Sequence, residues 1–428
     1  MTYVLALVLG AIYVFGFFLF GVEPRFGWPA TLLAIAGLYA LLQQGGGRPW
    51  WTAWWFGVGK YGCGASWVYV SIHVYGNAPP LLAGFLVVLF VAALAFLFTA
   101  PLGYLFGRMQ LRAEHGVTNV LCFVGAWVFM DWLSTWLLTG FPWLLPGYAL
   151  IDTFAVAAAP VMGVLGLSAI VVLVSASVAA ALLQRRLRLV LLALIPVLAV
   201  YALGFVTWVA PGETQRVALV QGNIDQALKW QRDQAVPNVR KHLRLSSQHW
   251  DADILMWPEA AVTMYPQQAQ GLLDSLGEQG RATDTDIVLG IPGVTALPSG
   301  EYEFQNLAIG LGAARGRFAK HHLVPFGEYV PLESVLRGLI DFFDLPMSSS
   351  SPGSAVQPNI RLRACEAAMA ICYEIAYPES MRRRASAAAV LMTLSNENWC
   401  GTSIGPLKHK QIERMRAAEN GRWLLRAT

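Results

Sequence analysis

Three apolar runs in the second half of the chain end in side chains that can do acid–base or nucleophilic chemistry. LMWPEAA delivers Glu259 after a proline, FAKHHLVPFGEYVPLE delivers Lys320 and Glu328, and AICYEI delivers Cys372. Taken singly, each has an ordinary explanation: Glu259 as an acid at a helix N-terminus, Lys320 as a surface charge, Cys372 as a small buried hydrophobe. Together they make a coherent set, because a thiol needs a base, an oxyanion needs a cation, and a buried lysine needs carboxylates nearby to stay charged. A thiol with a pKa of about 8.5 is mostly protonated at neutral pH. Glu259 is the candidate to take that proton as the sulfur attacks and to return it to the leaving group, since one carboxyl can serve first as base and then as acid.

The elements that must hold these groups alternate. RVALVQGNI, ADILMWPEAA, DIVLGIPG, FQNLAIGLG, AAMAICYEI and AAVLMTLSN read as short strands, and VPNVRKHLRLSSQHW and PQQAQGLLDSLGEQG between them as amphipathic helices. Such alternation predicts a layered α/β domain from residue 210 to 428, with chemistry just past the strand ends. The turn APGETQ (210–215) is the expected boundary.

Before it the chain is built for another solvent. Apolar residues make up 56% of the 428 and charged ones 13%, against roughly 45–50% and about 25% in soluble domains. Of the Lys, Arg, Asp and Glu residues only 12 precede Ala210. Apolar runs near 3–20, 28–43, 52–72, 81–107, 118–139, 155–183 and 189–208 predict a membrane domain of about seven helices over residues 1–209. Arg48, Arg108, Arg112, Arg185, Arg186 and Arg188 fall in loops on one side and Arg25 alone on the other. Basic short loops stay cytoplasmic, so the α/β domain is expected outside the inner membrane, in the periplasm. Lys60 and Asp131 sit within runs, and intramembrane ionisable groups are functional candidates. The plainer expectation is that Lys60 snorkels to a helix end and Asp131 faces neighbouring helices. Trp67, Tyr69, Trp132, Trp136, Trp143 and Tyr148 cluster toward the outer ends and most read as interfacial anchors, with the loop TGFPWLLPGY (139–148) rich enough in proline and aromatics to touch lipid or substrate. The five cysteines are too scattered for a disulfide framework or a CxxC metal site. Net charge is +4 and no aromatic-interleaved basic patch appears, so nucleic acid is not an expected partner.

WPEAA, KHHLVPFGEYVPLE, FFDLPMSS, ICYEI and SIGPLKHKQIERMRAAENGRWLLRAT resemble the nitrilase-type domain of bacterial apolipoprotein N-acyltransferases, and WVYVSI (67–72) and LTGFPWL (138–144) resemble the same family's spans. The resemblance implies an α-β-β-α sandwich beside a multi-span helical domain. It implies transfer of a fatty acyl chain from a phospholipid, through a cysteine thioester, to the N-terminal amine of a diacylglyceryl-cysteine lipoprotein, by a monomer that needs no metal or organic cofactor. Carried over by position, Cys372 is the nucleophile, Glu259 the general base and Lys320 the oxyanion cation. Glu328, Trp230, Tyr373 and Glu374 match residues that support activity or bind substrate, while His321 and His322 are expected as packing or loop groups. The family continues past LLRAT with further strands and a last span. Asn398 and Cys400 depart from its motif, and Lys60 stands where it is usually apolar. Two other readings compete: a membrane-tethered C–N hydrolase, since the same residues would cleave amides or nitriles, and a non-catalytic scaffold.

Overall fold

The computed structural model describes residues 1–17, 26–110, 115–298, 300–331, 333 and 349–428. Arg25, Arg112 and residues 342–348 of the FFDLPMSS motif lie outside the described residues. The chain divides into two units. One comprises Met1–His73, Pro79–Val209 and Thr402–Gly421, the other Val74–Ala78, Ala210–Gly401 and Arg422–Thr428.

Each of the seven apolar runs carries a helix: α1 (Thr2–Tyr13), α2 (Trp28–Gln44), α3 (Pro49–Gly64), α4 (Pro80–Met109), α5 (Gly116–Leu133), α6 (Ala159–Gln184) and α7 (Leu191–Leu203). Among the described residues, three helical stretches are long and apolar enough to cross a membrane: Pro80–Met109, Gly116–Leu133 and Phe154–Gln184. An 18-residue helix rises about 27 Å, close to the thickness of the hydrocarbon layer. The run expected as one span over 52–72 is broken. Its YGCGAS segment places glycines and a serine where helix propensity is low, so α3 stops at Gly64 and a separate turn, Ser71–Tyr75, follows. Helices α1 and α3 touch backbone to backbone: a Cβ on Gly10 would lie 2.0 Å from the Phe56 carbonyl oxygen, and one on Gly59 2.0 Å from that of Leu7.

Two expectations about polar and aromatic groups in this unit are corrected. Lys60 does not snorkel. It is 4% exposed, with its ammonium 5.0, 5.2 and 5.8 Å from the ring centroids of Tyr13, Tyr61 and Trp127. Trp132 and Trp136 are exposed as anchors should be, but Trp143 and Tyr148 are buried, and so is the whole of 141–150. From Phe141 onward that loop is core of the helical unit, not a lipid-facing surface.

The α/β unit holds two sheets. The first runs β1 (Val217–Leu219), β2 (Ile254–Met256), β3 (Asp286–Ala296), β4 (Tyr302–Gly312), β5 (Arg317–Ala319), parallel from β1 to β3 and antiparallel beyond. The second runs β6 (Ile360–Arg361), β7 (Glu366–Ile371), β8 (Val390–Leu394), β9 (Trp423–Ala427), with β7, β8 and β9 parallel. Strand alternation explains the layering. Ile254, Met256, Val288 and Phe318 share a core with Met369, Ile371, Met392 and Leu394 of the second sheet. The intervening Leu255, Ile287 and Leu289 turn the other way, onto Val239 of α8 (Ala235–Ser246) and Leu273 and Leu276 of α9 (Gln270–Ala282). Helix α10 (Pro378–Ala385) follows β7.

Helix α11 (Gly405–Asn420) lies between β8 and β9 in sequence but belongs to the helical unit. Four of its polar side chains are engaged there. Lys408 donates to the Gly64 carbonyl at 3.0 Å, Gln411 to the Tyr148 carbonyl at 3.0 Å and Arg416 to the Tyr148 hydroxyl at 2.8 Å, while Glu419 accepts from the Val164 amide.

Candidate active site

Glu259 stands where β2 gives way to a turn. Trp257 N still donates to the Val288 carbonyl at 3.0 Å, Pro258 can donate nothing, and Ala260 takes a left-handed φ of 46°. Gly290 on β3 makes room for this turn, since a Cβ there would lie 2.6 Å from Ala260 N and from the Pro258 carbonyl oxygen. The carboxylate is then held from two sides: Asn306 Nδ2 donates to Oε1 at 2.7 Å, and Lys320 Nζ lies 3.7 Å from the same oxygen.

Lys320 follows β5, with its amide donating to the Asn306 carbonyl at 2.8 Å and its own carbonyl accepting from Gly353 N. Its side chain is 1% exposed and donates to Glu328 Oε1 at 2.8 Å. Burial alone would lower its pKa, but Glu328 and then Glu259 outweigh burial and raise it, so the ammonium is a fixed charge. Glu328 Oε2 accepts from Val324 N at 2.8 Å. Burial pushes this acid up, and Lys320 pulls it partly back.

Cys372 comes directly after β7, in a left-handed conformation with φ of 53°. Such a φ is uncommon for a residue with a Cβ and is held by its surroundings. Glu374 supplies much of the hold: Oε2 accepts from Ile371 N at 3.0 Å, and Oε1 from His321 N at 2.9 Å and His322 N at 3.2 Å, with Arg384 at 3.4 Å. Although burial raises its pKa, the bonds from His322, the Arg384 charge and the backbone amides hold it at about 2. The Cys372 thiol is pushed well up by burial and then by Glu259, against a smaller opposing pull from Lys320. A thiol so placed is protonated at neutral pH and reacts only if a base takes its proton.

Lys320 thus bridges Glu259 and Glu328, and the Cys372 thiol lies within the electrostatic reach of all three. Glu374 is a buried tether between the Cys372 turn and residues 321–322. Tyr373 is 7% exposed with its ring edge-on to Tyr377, and Trp230 is 38% exposed at the end of the short helix Gln226–Lys229. His321 and His322 are packing and polar loop groups: one ring nitrogen of His321 lies 2.7 Å from the Gly353 carbonyl oxygen, and His322 stacks on Tyr377 while it also faces Glu374. Asn398 donates to the Ile224 carbonyl at 2.6 Å. Burial first and then Glu397 push the Cys400 thiol to about 12.

Two residues are absent from the sequence reading. Asn306, in FQNLAIGLG, looked like one polar position of a strand; its backbone joins Lys320 and its side chain joins Glu259. Lys229, beside Trp230 in ALKW, is buried and donates to the Glu259 carbonyl at 2.8 Å. A cavity of about 120 Å³ opens next to it past the ends of β1, β2 and β8, lined by Gln221, Asn223, Pro258, Ser395 and Asn398 among others.

The two-sheet α/β unit is a carbon-nitrogen hydrolase domain: residues 216–428 match that family's model. Residues 9–177 match the model described as the apolipoprotein N-acyltransferase N-terminal domain. The chain is 40% identical to the apolipoprotein N-acyltransferase of Pseudomonas aeruginosa (strain UCBPP-PA14), over 95% of this chain and 80% of that protein, and 39% identical to that of Vibrio cholerae, over 94% and 81%. Among solved structures, a carbon-nitrogen hydrolase from Helicobacter pylori G27 is similar at 15% identity over 50% of this chain and 72% of that one, with a TM-score of 0.32. The chain belongs to the apolipoprotein N-acyltransferase family and is an acyltransferase.

Proposed function

We propose that the chain moves a fatty acyl group from a phospholipid to the N-terminal amine of diacylglyceryl-cysteine lipoproteins, by two displacements at Cys372. In the first, Glu259 takes the thiol proton as sulfur attacks the donor's ester carbonyl. The tetrahedral oxyanion collapses, the ester C–O bond breaks, and Glu259 returns the proton to the departing alkoxide, leaving a thioester and a lysophospholipid. In the second, the acceptor amine attacks the thioester, Glu259 takes the amine's proton, and the thiol is released as the amide forms. Lys320 faces the oxyanion both times, and Glu328 keeps its ammonium in place. Glu374 holds the turn that presents the thiol, while Tyr373 and Trp230 contribute to the walls around the acyl donor.

The observation that carries this reading is the Glu259 carboxylate itself. Asn306 and Lys320 both engage Oε1, and among the described residues no hydrogen bond falls on the second oxygen, which can serve the thiol, pushed up by burial and in need of a base. The apolar helices favour a lipid-borne substrate over a water-soluble amide. In this proposal the helical unit crosses the inner membrane seven times, the α/β unit is periplasmic, and the chain acts as a monomer.

The test is to incubate purified chain with phospholipid and a synthetic diacylglyceryl-cysteine peptide. The proposal expects N-acylated peptide and lysophospholipid in equal amounts. Ammonia released from small amides, with no acyl transfer, would favour a membrane-tethered C–N hydrolase instead. For topology, a cysteine at Ser247 should react with a membrane-impermeant thiol reagent in spheroplasts and one at Arg186 should not; the reverse order would overturn the orientation.

A further inference from the structure

Lys229 is a second buried lysine of the α/β unit, and the mechanism above gives it no task. It is 6% exposed, and no carboxylate lies within ion-pair distance of it among the described residues. Removing an ammonium from water is costly unless something is gained. Its Nζ makes one hydrogen bond, at 2.8 Å, to the backbone carbonyl of Glu259. That carbonyl begins the left-handed step at Ala260, a conformation that persists only when its surroundings enforce it.

The lysine's own position is well fixed. Asp225 caps the short helix by accepting from Ala227 N at 2.8 Å, Asn396 donates to the Gln226 side chain at 2.8 Å, and Asn238 donates to the Lys229 carbonyl at 3.3 Å. The titratable groups that face it are Glu259 and Cys372, together with His242 of α8, whose Nδ1 lies 2.8 Å from the Asn238 carbonyl oxygen, and Glu397 across the adjoining cavity.

We propose that Lys229 is a positioning residue for the acylation site. Its hydrogen bond fixes the Glu259 peptide, and so the direction of the carboxylate that must take the Cys372 proton. The inference rests on Cys372 being the nucleophile. Burial brings the pKa of Lys229 down to about 8, with Glu259 and Cys372 opposing. Its charge is therefore present at neutral pH and is lost as pH rises through 8, which weakens its bond to the Glu259 carbonyl, so thiol reactivity should show an inflection there that belongs to Lys229.

The experiment is alkylation of Cys372 by iodoacetamide in the full-length chain from pH 6 to 10, read by peptide mass spectrometry. Lys229→Met should slow alkylation at pH 7 by about tenfold, as for the loss of one hydrogen bond from a charged donor, and abolish the inflection near pH 8. Lys229→Arg, always charged, should keep the rate within about threefold and also lack the inflection. Alkylation of Cys365 in the same samples should be unchanged, which reports intact folding. A wild-type profile in Lys229→Met would overturn the inference, as would equal slowing in both variants with the inflection retained, which marks packing alone. Intact alkylation behaviour in a chain that never takes an acyl group from phospholipid would strike the acyl-transfer reading and leave the role of Lys229 standing.

Discussion

Lys320 in the α/β unit and Lys60 in the helical unit are almost equally hidden from solvent, at 1% and 4% exposure, yet their charges are met in opposite ways. Lys320 has two carboxylates at 2.8 and 3.7 Å. Lys60 has three aromatic rings, and Asp131 lines the same small cavity without reaching ion-pair distance. Ring faces make a cation tolerable without fixing a partner, whereas paired carboxylates fix both its protonation and its place. A group that must meet a transient oxyanion needs the second arrangement. A group that helps helices pack can use the first.

The comparison breaks most visibly at Lys320. Lys320→Met should lower kcat for acyl transfer by about 10²–10³-fold, the usual effect of losing one oxyanion donor, and should destabilise the α/β unit because two buried carboxylates lose their counter-charge. Lys320→Arg should recover little, since its planar fork is displaced from the ammonium position. Full activity in Lys320→Met would place the lysine outside the chemistry.

Next comes the acid at the Cys372 turn. The Glu374 pKa is held at about 2, below its ordinary 4.5, so its contribution is present above pH 4.5 and is lost as pH falls toward 2. It amounts to roughly 3 kcal/mol by linkage. Acid unfolding followed by tryptophan fluorescence should show that loss in the wild type, while Glu374→Gln should be less stable at pH 7 and lack this part of the pH dependence. An unchanged acid transition in Glu374→Gln would remove the tether.

A smaller effect is expected at Asn306, which holds Glu259 with a single bond. Asn306→Ala should reduce kcat about tenfold with little change in KM, as for one hydrogen bond to a charged group. A change in KM alone would assign it to substrate binding. The smallest effect belongs to the helical unit. Lys60→Met should keep activity within about threefold, and a Lys60→Met, Asp131→Asn cycle measured by thermal unfolding should give a coupling of ~1 kcal/mol. A loss as large as that of Lys320→Met would erase the distinction between the two lysines.

The catalytic candidates were legible because each ends an apolar run, and strand ends are where open α/β sheets expose side chains. The six expected strand segments each contain a strand, whereas β5, β6 and β9 are too short or too lightly patterned to announce themselves. Lys229 and Asn306 were not legible. A lysine at the end of a four-residue helix and an asparagine in a strand have ordinary surface readings, and only folding brings both to Glu259. Helix α11 shows the same limit. Nothing in the pattern of PLKHKQIERMRAAEN marks Lys408 and Arg416 as interior, yet both are buried and donate hydrogen bonds, one to the Gly64 carbonyl and one to the Tyr148 hydroxyl of the helical unit. Composition identifies charges; it does not show which of them find partners.

The central claim is that Cys372 carries the acyl group, and it is tested by giving the purified chain phospholipid and no acceptor. Peptide mass spectrometry should find a fatty acyl thioester on Cys372, with Cys365 and Cys400 unmodified and one lysophospholipid released per thioester, and a diacylglyceryl-cysteine peptide should then discharge it. Lysophospholipid production beside an unmodified Cys372 would contradict the covalent mechanism.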